Sequence, residues 1–182
     1  RRHAEGVMDA LMDATGESVH LSVLDQKEVV YVHKVESLNP VRAYSQIGGR
    51  AAAHCVATGK AMIAFRTQQW LAAMSQELTA YTPHTIIDPA AFTAEMAQIR
   101  KRGYAVNRCE WREAVSGVAA PIRDGMGHVI AAIGVSGPDA RFKPRQLREF
   151  SERVLLAARE LSEGLSGGPH HGLSHVTSAW RP

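Results

Sequence analysis

Apolar positions recur along this chain with two different periods, and the switches between them divide it into elements. In "RRHAEGVMDALMDATGES", Val7, Met8, Leu11 and Met12 fall at helical spacing, which predicts a helix ending near Thr15-Gly16, where glycine can take a left-handed cap conformation. The next stretch, "SVHLSVLDQKEVVYVHKVES", alternates Val19, Leu21 and Val23 against His20, Ser22 and Leu24, turns at Asp25-Gln26-Lys27, and resumes through Val30 and Val32. That pattern is an antiparallel hairpin. "PVRAYSQIGGR", 40–50, is expected as a shorter third strand closing on its Gly-Gly loop.

Helical spacing returns from Ala57 to Phe65 and from Gln68 to Glu77, with Ile63, Trp70, Leu71 and Met74 as apolar contacts. Beyond Pro83 and Pro89, residues Phe92, Met96 and Ile99 mark a third helix in this series, stopped by Gly103. "AVSGVAAPIRD" and "VIAAIGVSG", joined by "GMGH", read as a second hairpin whose small residues let a strand or ligand approach the backbone. "PRQLREFSERVLLAARELSEGL" then closes as a long helix, with Leu147, Phe150, Val154, Ala158, Leu161 and Leu165 along one stripe. This order predicts an α+β domain, a mostly antiparallel sheet with helices on its faces. Residues 166–182, "SGGPHHGLSHVTSAWRP", show no periodicity and are expected to be a tail.

Composition narrows the function. A chain of 182 residues suits a single domain with a substantial core, and 45% apolar with 21% charged residues is ordinary for a soluble protein. No apolar run reaches the roughly 18 residues a spanning helix needs, so no membrane partner is expected. Two cysteines, Cys55 and Cys109, in no CxxC pair fit a reducing compartment, and the chain is expected in the cytoplasm. The net charge is +3, with basic residues scattered except at 100–104 and 141–148, clusters expected on solvated helix ends. No helix-turn-helix, zinc-finger or RNA-binding pattern is present, so this stretch by itself is expected to bind DNA weakly. It begins without an initiating Met or signal pattern and reads as cut from something longer.

Candidate chemistry is sparse. Gly59-Lys60 at the start of a helix suggests a phosphate loop, but His54 stands where the earlier glycine is required and Ala61 where Ser or Thr is required. His54, Cys55, His84 and Cys109 are ligand-type residues at spacings that match no metal signature, so a buried cysteine and hydrogen-bonded histidines are expected instead. His170, His171 and His175 belong to the expected tail. Glu110 and Glu113 flank Trp111 and are read as an exposed charged loop. No GxSxG nucleophile elbow occurs, and neither metal nor cofactor is expected.

The succession "GESVHLSVLD", "EVVYVHKVES", "GGRAAAHCVATGKAMIA", "KRGYAVNRCEW", "VSGVAAPIRDGMGHVIAAIGVSGP" and the closing helix resembles the C-terminal effector-binding domain of IclR-family bacterial transcription regulators over roughly residues 5–165. The resemblance implies a GAF-like or profilin-like fold that senses a small organic acid and forms homodimers or tetramers. Operator DNA would be bound only through an N-terminal winged helix-turn-helix domain not contained in this sequence. Residues 1–15 would be the linker helix after that domain, 16–165 the effector-binding domain and 166–182 the tail. Carried over position by position, the family's pocket implies effector contacts at Ala57, Thr58, Asn107, Gly117, Gly134 and Ser136. Lys60 matches a common family lysine with a structural or solvent-facing role.

Three positions depart from the family's small-acid sensors, which carry Asp at 107, Cys at 117 and Ser at 134. Here a charge and two side chains are lost, which implies a roomier pocket and a ligand larger than a two- or three-carbon keto acid, such as an aromatic or branched carboxylate. Ala52-Ala53-His54 also replaces the family's Pro-Leu-His. Two other readings compete with the sensor. One is an enzyme on the same scaffold with Cys109 or Cys55 as nucleophile or redox centre and His54 assisting. The other is an oligomerisation module with a vestigial pocket.

Overall fold

The computed structural model describes residues 2–166. Helix α1 (Arg2–Thr15) leads into β1 (Ser18–Asp25), β2 (Glu28–Val35) and β3 (Arg50–Ala52). Three helices follow, α2 (Ala57–Ile63), α3 (Gln68–Ser75) and α4 (Pro89–Arg102). The chain then forms β4 (Ala105–Arg108), β5 (Val115–Arg123), β6 (Val129–Pro138), a 3-10 turn at Asp139–Arg141, and α5 (Pro144–Ser166). The strands make one six-stranded antiparallel sheet in the order β3-β2-β1-β6-β5-β4. β1 pairs with β6, the last strand, so both predicted hairpins lie side by side in one sheet.

The two-residue period of the strands sorts their side chains between two cores. Val19, Val118, Ala120, Ile122, Ile133 and Val135 face α1 and α5, where Met8, Leu11, Leu147, Phe150, Val154 and Leu161 close a first core. Ala119 and Ala132 face the other side and meet Ala61, Ile63, Leu71, Met74, Phe92, Met96 and Ile99 from α2, α3 and α4. Because Val7, Met8 and Leu11 are buried with α5, α1 is an integral part of the first core.

Helix α4 shows why its ends fall where the sequence predicts. Asp88 accepts a hydrogen bond from the Ala91 amide at 2.8 Å, Pro89 opens the first turn, and Gly103 stops the helix at φ 83°. The basic cluster 100–104 sits at this C-terminal end, where cations complement the helix dipole. The second basic cluster differs from expectation at Arg141, which forms a two-pronged pair with the buried Glu17 carboxylate.

One expectation is corrected and one element is added. Residues 40–49 form no strand, since Pro40 lacks an amide donor and the carbonyls of Val41 and Ser45 are taken by Arg141 at 2.9 Å and Lys34 at 2.7 Å. The segment instead forms an irregular flap, and it rejoins β2 at Gly48 and Gly49, which exchange backbone hydrogen bonds with Tyr31 at 2.8 and 3.1 Å before the ladder begins at Arg50. Conversely, "AVNR" is strand β4, held by its ladder to β5 although it offers only two apolar residues of its own. α5 extends to Ser166, one residue into the expected tail. The rest of that stretch, with His170, His171, His175 and Trp180, lies outside the described residues. No helix among the described residues is long and apolar enough to cross a membrane.

Candidate functional site

α2 starts abruptly. Its N-cap, Val56, is extended and offers no side-chain acceptor, and the first amide to bond back within the helix is that of Lys60, to the Val56 carbonyl at 2.9 Å. The amides of Ala57 and Thr58 are therefore first-turn donors without a cap. They stand over the glycines of the second hairpin. A Cβ added at Gly117 would lie 3.6 Å from Ala57 Cβ, and one at Gly134 would lie 3.1 Å from Thr58 Cγ2.

This approach leaves a cavity of about 460 Å³ between the start of α2, the glycine-bearing strands, and the flap. Ala57, Thr58, Asn107, Gly117, Gly134 and Ser136 all line it. The space released by the two glycines is partly taken by the protein, however. Cβ atoms there would meet the Val135 carbonyl oxygen at 2.9 Å and Ala119 Cβ at 2.7 Å, respectively.

The remaining wall could not be anticipated from linear spacing. Arg42, Arg50 and Arg112 line the cavity, and no Asp or Glu among the described residues does. Arg50 is engaged by Asp25 and Glu28 and Arg42 by Glu36, but Arg112 has no side-chain hydrogen bond or ion pair among the described residues. Tyr31, Tyr44 and Trp111 add aromatic surface, and Trp111 is steadied by Tyr81 with ring centroids 4.5 Å apart. Burial pushes the Tyr31 phenol up to about 12, against the opposing pull of Arg112, so it stays a neutral hydroxyl. The unpaired Arg112 guanidinium and these donors favour an anionic guest.

His20 joins the cavity to its flap. One ring nitrogen shares a hydrogen bond with Ser136 Oγ at 2.7 Å and the other with Ser45 Oγ at 3.1 Å. Burial, with a smaller push from Lys34, lowers its pKa to about 4, so the ring is neutral near pH 7. The unfolded chain binds this proton near 6.5, the folded chain near 4. Stability from this group is therefore present above about 6.5 and is lost as pH falls through that window. Urea unfolding at pH 7 and pH 4.5 should show the wild type losing about 2 kcal/mol more than His20→Gln over that step. Equal losses would show that His20 does not carry this dependence.

Beneath the cavity lies an ion pair that decides between the two roles expected of Lys60 and corrects the expectation for Glu110. Lys60, 1% exposed, donates to both Glu110 carboxylate oxygens at 3.0 Å and to the Val106 carbonyl at 2.7 Å, with Glu95 at 3.3 Å. Lys60 is thus structural and not solvent-facing. Glu110 is buried, not part of an exposed charged loop, whereas Glu113 is exposed. Burial raises the Glu110 pKa above the ordinary carboxylate range despite Lys60. The Glu110 carboxylate also accepts the Arg108 amide at 2.9 Å, and its own amide donates to Asn107 Oδ1 at 2.8 Å.

The ligand-type residues do not assemble. His54 shares a hydrogen bond with the Thr79 carbonyl at 2.9 Å, His84 is exposed, and Cys55 is buried, its thiol pushed up to about 12 chiefly by burial. Among the described residues no three His, Cys, Asp or Glu side chains are placed to share a metal ion.

Comparison with known proteins gives this architecture its relatives. The family described as bacterial transcriptional regulator IclR C-terminal matches residues 1–163. The chain belongs to the IclR family. Among similar proteins, the HTH-type transcriptional regulator BhcR of Paracoccus denitrificans is 37% identical over 165 residues, which is 90% of this chain and 59% of BhcR. XynR of Escherichia coli is 35% identical over 91% of this chain and 66% of its own length. This IclR-family chain therefore spans about three fifths to two thirds of those relatives. The crystal structure of the Thermotoga maritima IclR superposes with a TM-score of 0.85 at 33% identity, covering 91% of this chain and 68% of that one. The C-terminal domain of Escherichia coli KdgR gives 0.80 at 30% identity, covering 91% and 97%. The IclR-family fold is GAF-like, as the resemblance implied.

Proposed function

We propose that this domain is the effector-sensing and oligomerisation part of an IclR-type transcription regulator, acting in the cytoplasm as a homodimer or tetramer. Its effector is a small organic acid, of aromatic or branched carboxylate type, held by Ala57, Thr58, Asn107, Gly117, Gly134 and Ser136. Residues 1–15 link it to an N-terminal DNA-binding domain, and binding biases the arrangement of subunits and hence operator binding. No bond is broken in this reading. The observation that carries it is the single cavity that unites all six residues with three arginines, three large aromatic side chains and, among the described residues, no carboxylate. A volume of about 460 Å³ falls in the range of sites for ligands well above keto-acid size. The buried Cys55 thiol and the engaged His54 ring support a sensor over an enzyme built on Cys55, since activated thiols need a lowered pKa.

A thermal-shift and calorimetric screen of organic acids tests this. At a concentration of about 100 times Kd, an aromatic or branched carboxylate should add about 2.7 kcal/mol of stability. Tight binding of glyoxylate or pyruvate with no response to larger acids would contradict the ligand class. Silence across the whole acid library would favour a vestigial pocket.

A further inference from the structure

The flap over the cavity is fastened at two places, and one of them belongs to the end of α1. At its tip, Ser45 Oγ shares a hydrogen bond with a His20 ring nitrogen at 3.1 Å, and the Ser45 carbonyl accepts from Lys34 Nζ at 2.7 Å. Lys34 also lies over the Tyr44 ring, 5.6 Å from its centroid. At its root, Ser37 Oγ and Asn39 Nδ2 both donate to the Gly16 carbonyl, at 2.6 and 3.1 Å. Gly16 is the residue that stops α1, with φ 71° and its amide donating to the Met12 carbonyl at 2.7 Å. Arg141 completes the fastening. Its guanidinium holds the Glu17 carboxylate with two nitrogens, and one of these, Nη2, also donates to the Val41 carbonyl at 2.9 Å. Glu17 is 1% exposed, and a Cβ added at Gly137 would overlap its carboxylate, so the side chain is wedged against β6. A buried carboxylate that loses its counter-charge is costly, which keeps Arg141 in place.

One segment therefore serves two neighbours. Residues 42–46 line the cavity, while Ser37, Asn39 and Val41 hold Gly16 and Glu17, the junction between α1 and β1, directly or through Arg141. A flap movement that shifts Ser37 or Val41 must break these bonds or carry the junction with it. We propose that this clasp couples the flap to α1, so that a guest holding the flap shut steadies the C-terminal end of that linker helix, and an open flap loosens it. What moves the flap rests on the reading of the cavity as an effector site, but the link itself is testable without a ligand.

The test is amide hydrogen exchange on the full 182-residue chain, read at the Gly16 amide for α1 and at the Gly49 amide, bonded to the Gln46 carbonyl at 2.9 Å, for the flap. Lys34→Met with Ser45→Ala releases the tip and leaves every root contact in place. Both amides should then exchange about tenfold faster, the scale of one lost hydrogen bond in a local opening equilibrium. Ser37→Ala with Arg141→Lys loosens the root, lysine keeping a counter-charge beside Glu17 but lacking the fork that also reaches Val41. With the root loosened, Gly16 should exchange fast from the outset, and releasing the tip should speed Gly49 alone. Faster exchange at Gly49 with Gly16 unmoved in the tip variant overturns the coupling, whether or not the root variant folds. So does an undiminished response of Gly16 when the root is loosened, and so does a tip variant in which neither amide responds. Saturating phenylacetate or isovalerate should slow both amides in the wild type. Failure of both acids to bind counts against the ligand class alone, because the ligand-free comparison already decides the coupling.

Discussion

Lys60→Met is expected to lower the unfolding free energy by about 3–5 kcal/mol, the usual consequence of removing one partner from a buried ion pair. The ammonium is surrounded by Glu110, Glu95 and the Val106 carbonyl, and methionine preserves the length of the side chain while leaving the Glu110 carboxylate without its counter-charge. The loss should depend on pH. Glu110 already has a raised pKa in the folded chain, because burial outweighs the opposing pull of Lys60, and deleting Lys60 raises it further. The folded state then holds a proton that the unfolded state has released. The penalty is absent below the unfolded pKa, grows as pH rises toward the folded one, and is complete above it. Chemical denaturation across pH reads this directly, and adding Glu110→Gln should recover much of the loss because the uncompensated charge is gone. A deficit below about 1 kcal/mol, constant with pH, would mean that the pair is not buried as described.

Gly59→Ala should also be strongly destabilising, although helix propensity alone argues for the opposite sign. In an exposed helix interior the exchange would gain about 1 kcal/mol. Here an added Cβ would lie 2.5 Å from Ala53 Cα and 2.8 Å from its carbonyl carbon, and it would overlap the carbonyl oxygen as well. These are backbone atoms that no rotamer change can move aside. Overpacking of this kind costs roughly 1–3 kcal/mol and sometimes more, so a net loss of about 2 kcal/mol is expected on thermal or urea unfolding. Because Ala57 and Thr58 immediately precede it in the same turn, the strain should also displace the cavity wall and weaken acid binding. Unchanged or increased stability would show that α2 does not press on residue 53.

The same residues show what was legible in the chain and what was not. Both main hairpins, α4 and α5 announce themselves because periodicity and caps are local: Val118, Ala120 and Ile122 alternate, and Asp88, Pro89 and Gly103 bracket a helix. Gly59 stands out in the chain only beside Lys60, and nothing local shows that it presses on residue 53. The six candidate contacts come together only because β1 pairs with β6 and α2 lies over β5 and β6, and the resemblance supplied that convergence where spacing could not. Lys60 and Glu110 are separated by fifty positions, and nothing local distinguishes the buried Glu110 from the exposed Glu113 two residues beyond Trp111. The flap was misread as a strand because its apolar residues suggested one, while side chains from distant elements claim its carbonyls. Arg42 and Arg112 likewise reach one cavity from unrelated segments, so the arginine-rich, carboxylate-free wall emerges only in three dimensions.

The central claim is that this cavity captures an organic acid intact. Its most direct test is a crystal structure of the chain with the acid that gives the strongest calorimetric response. The expected result is an unmodified acid between the first turn of α2 and the glycines at 117 and 134, in contact with Asn107 and Ser136. An acid bound elsewhere, for instance in the surface groove between α1 and α5, or a cavity closed by Tyr31 and Trp111 in the presence of saturating acid, would contradict the account.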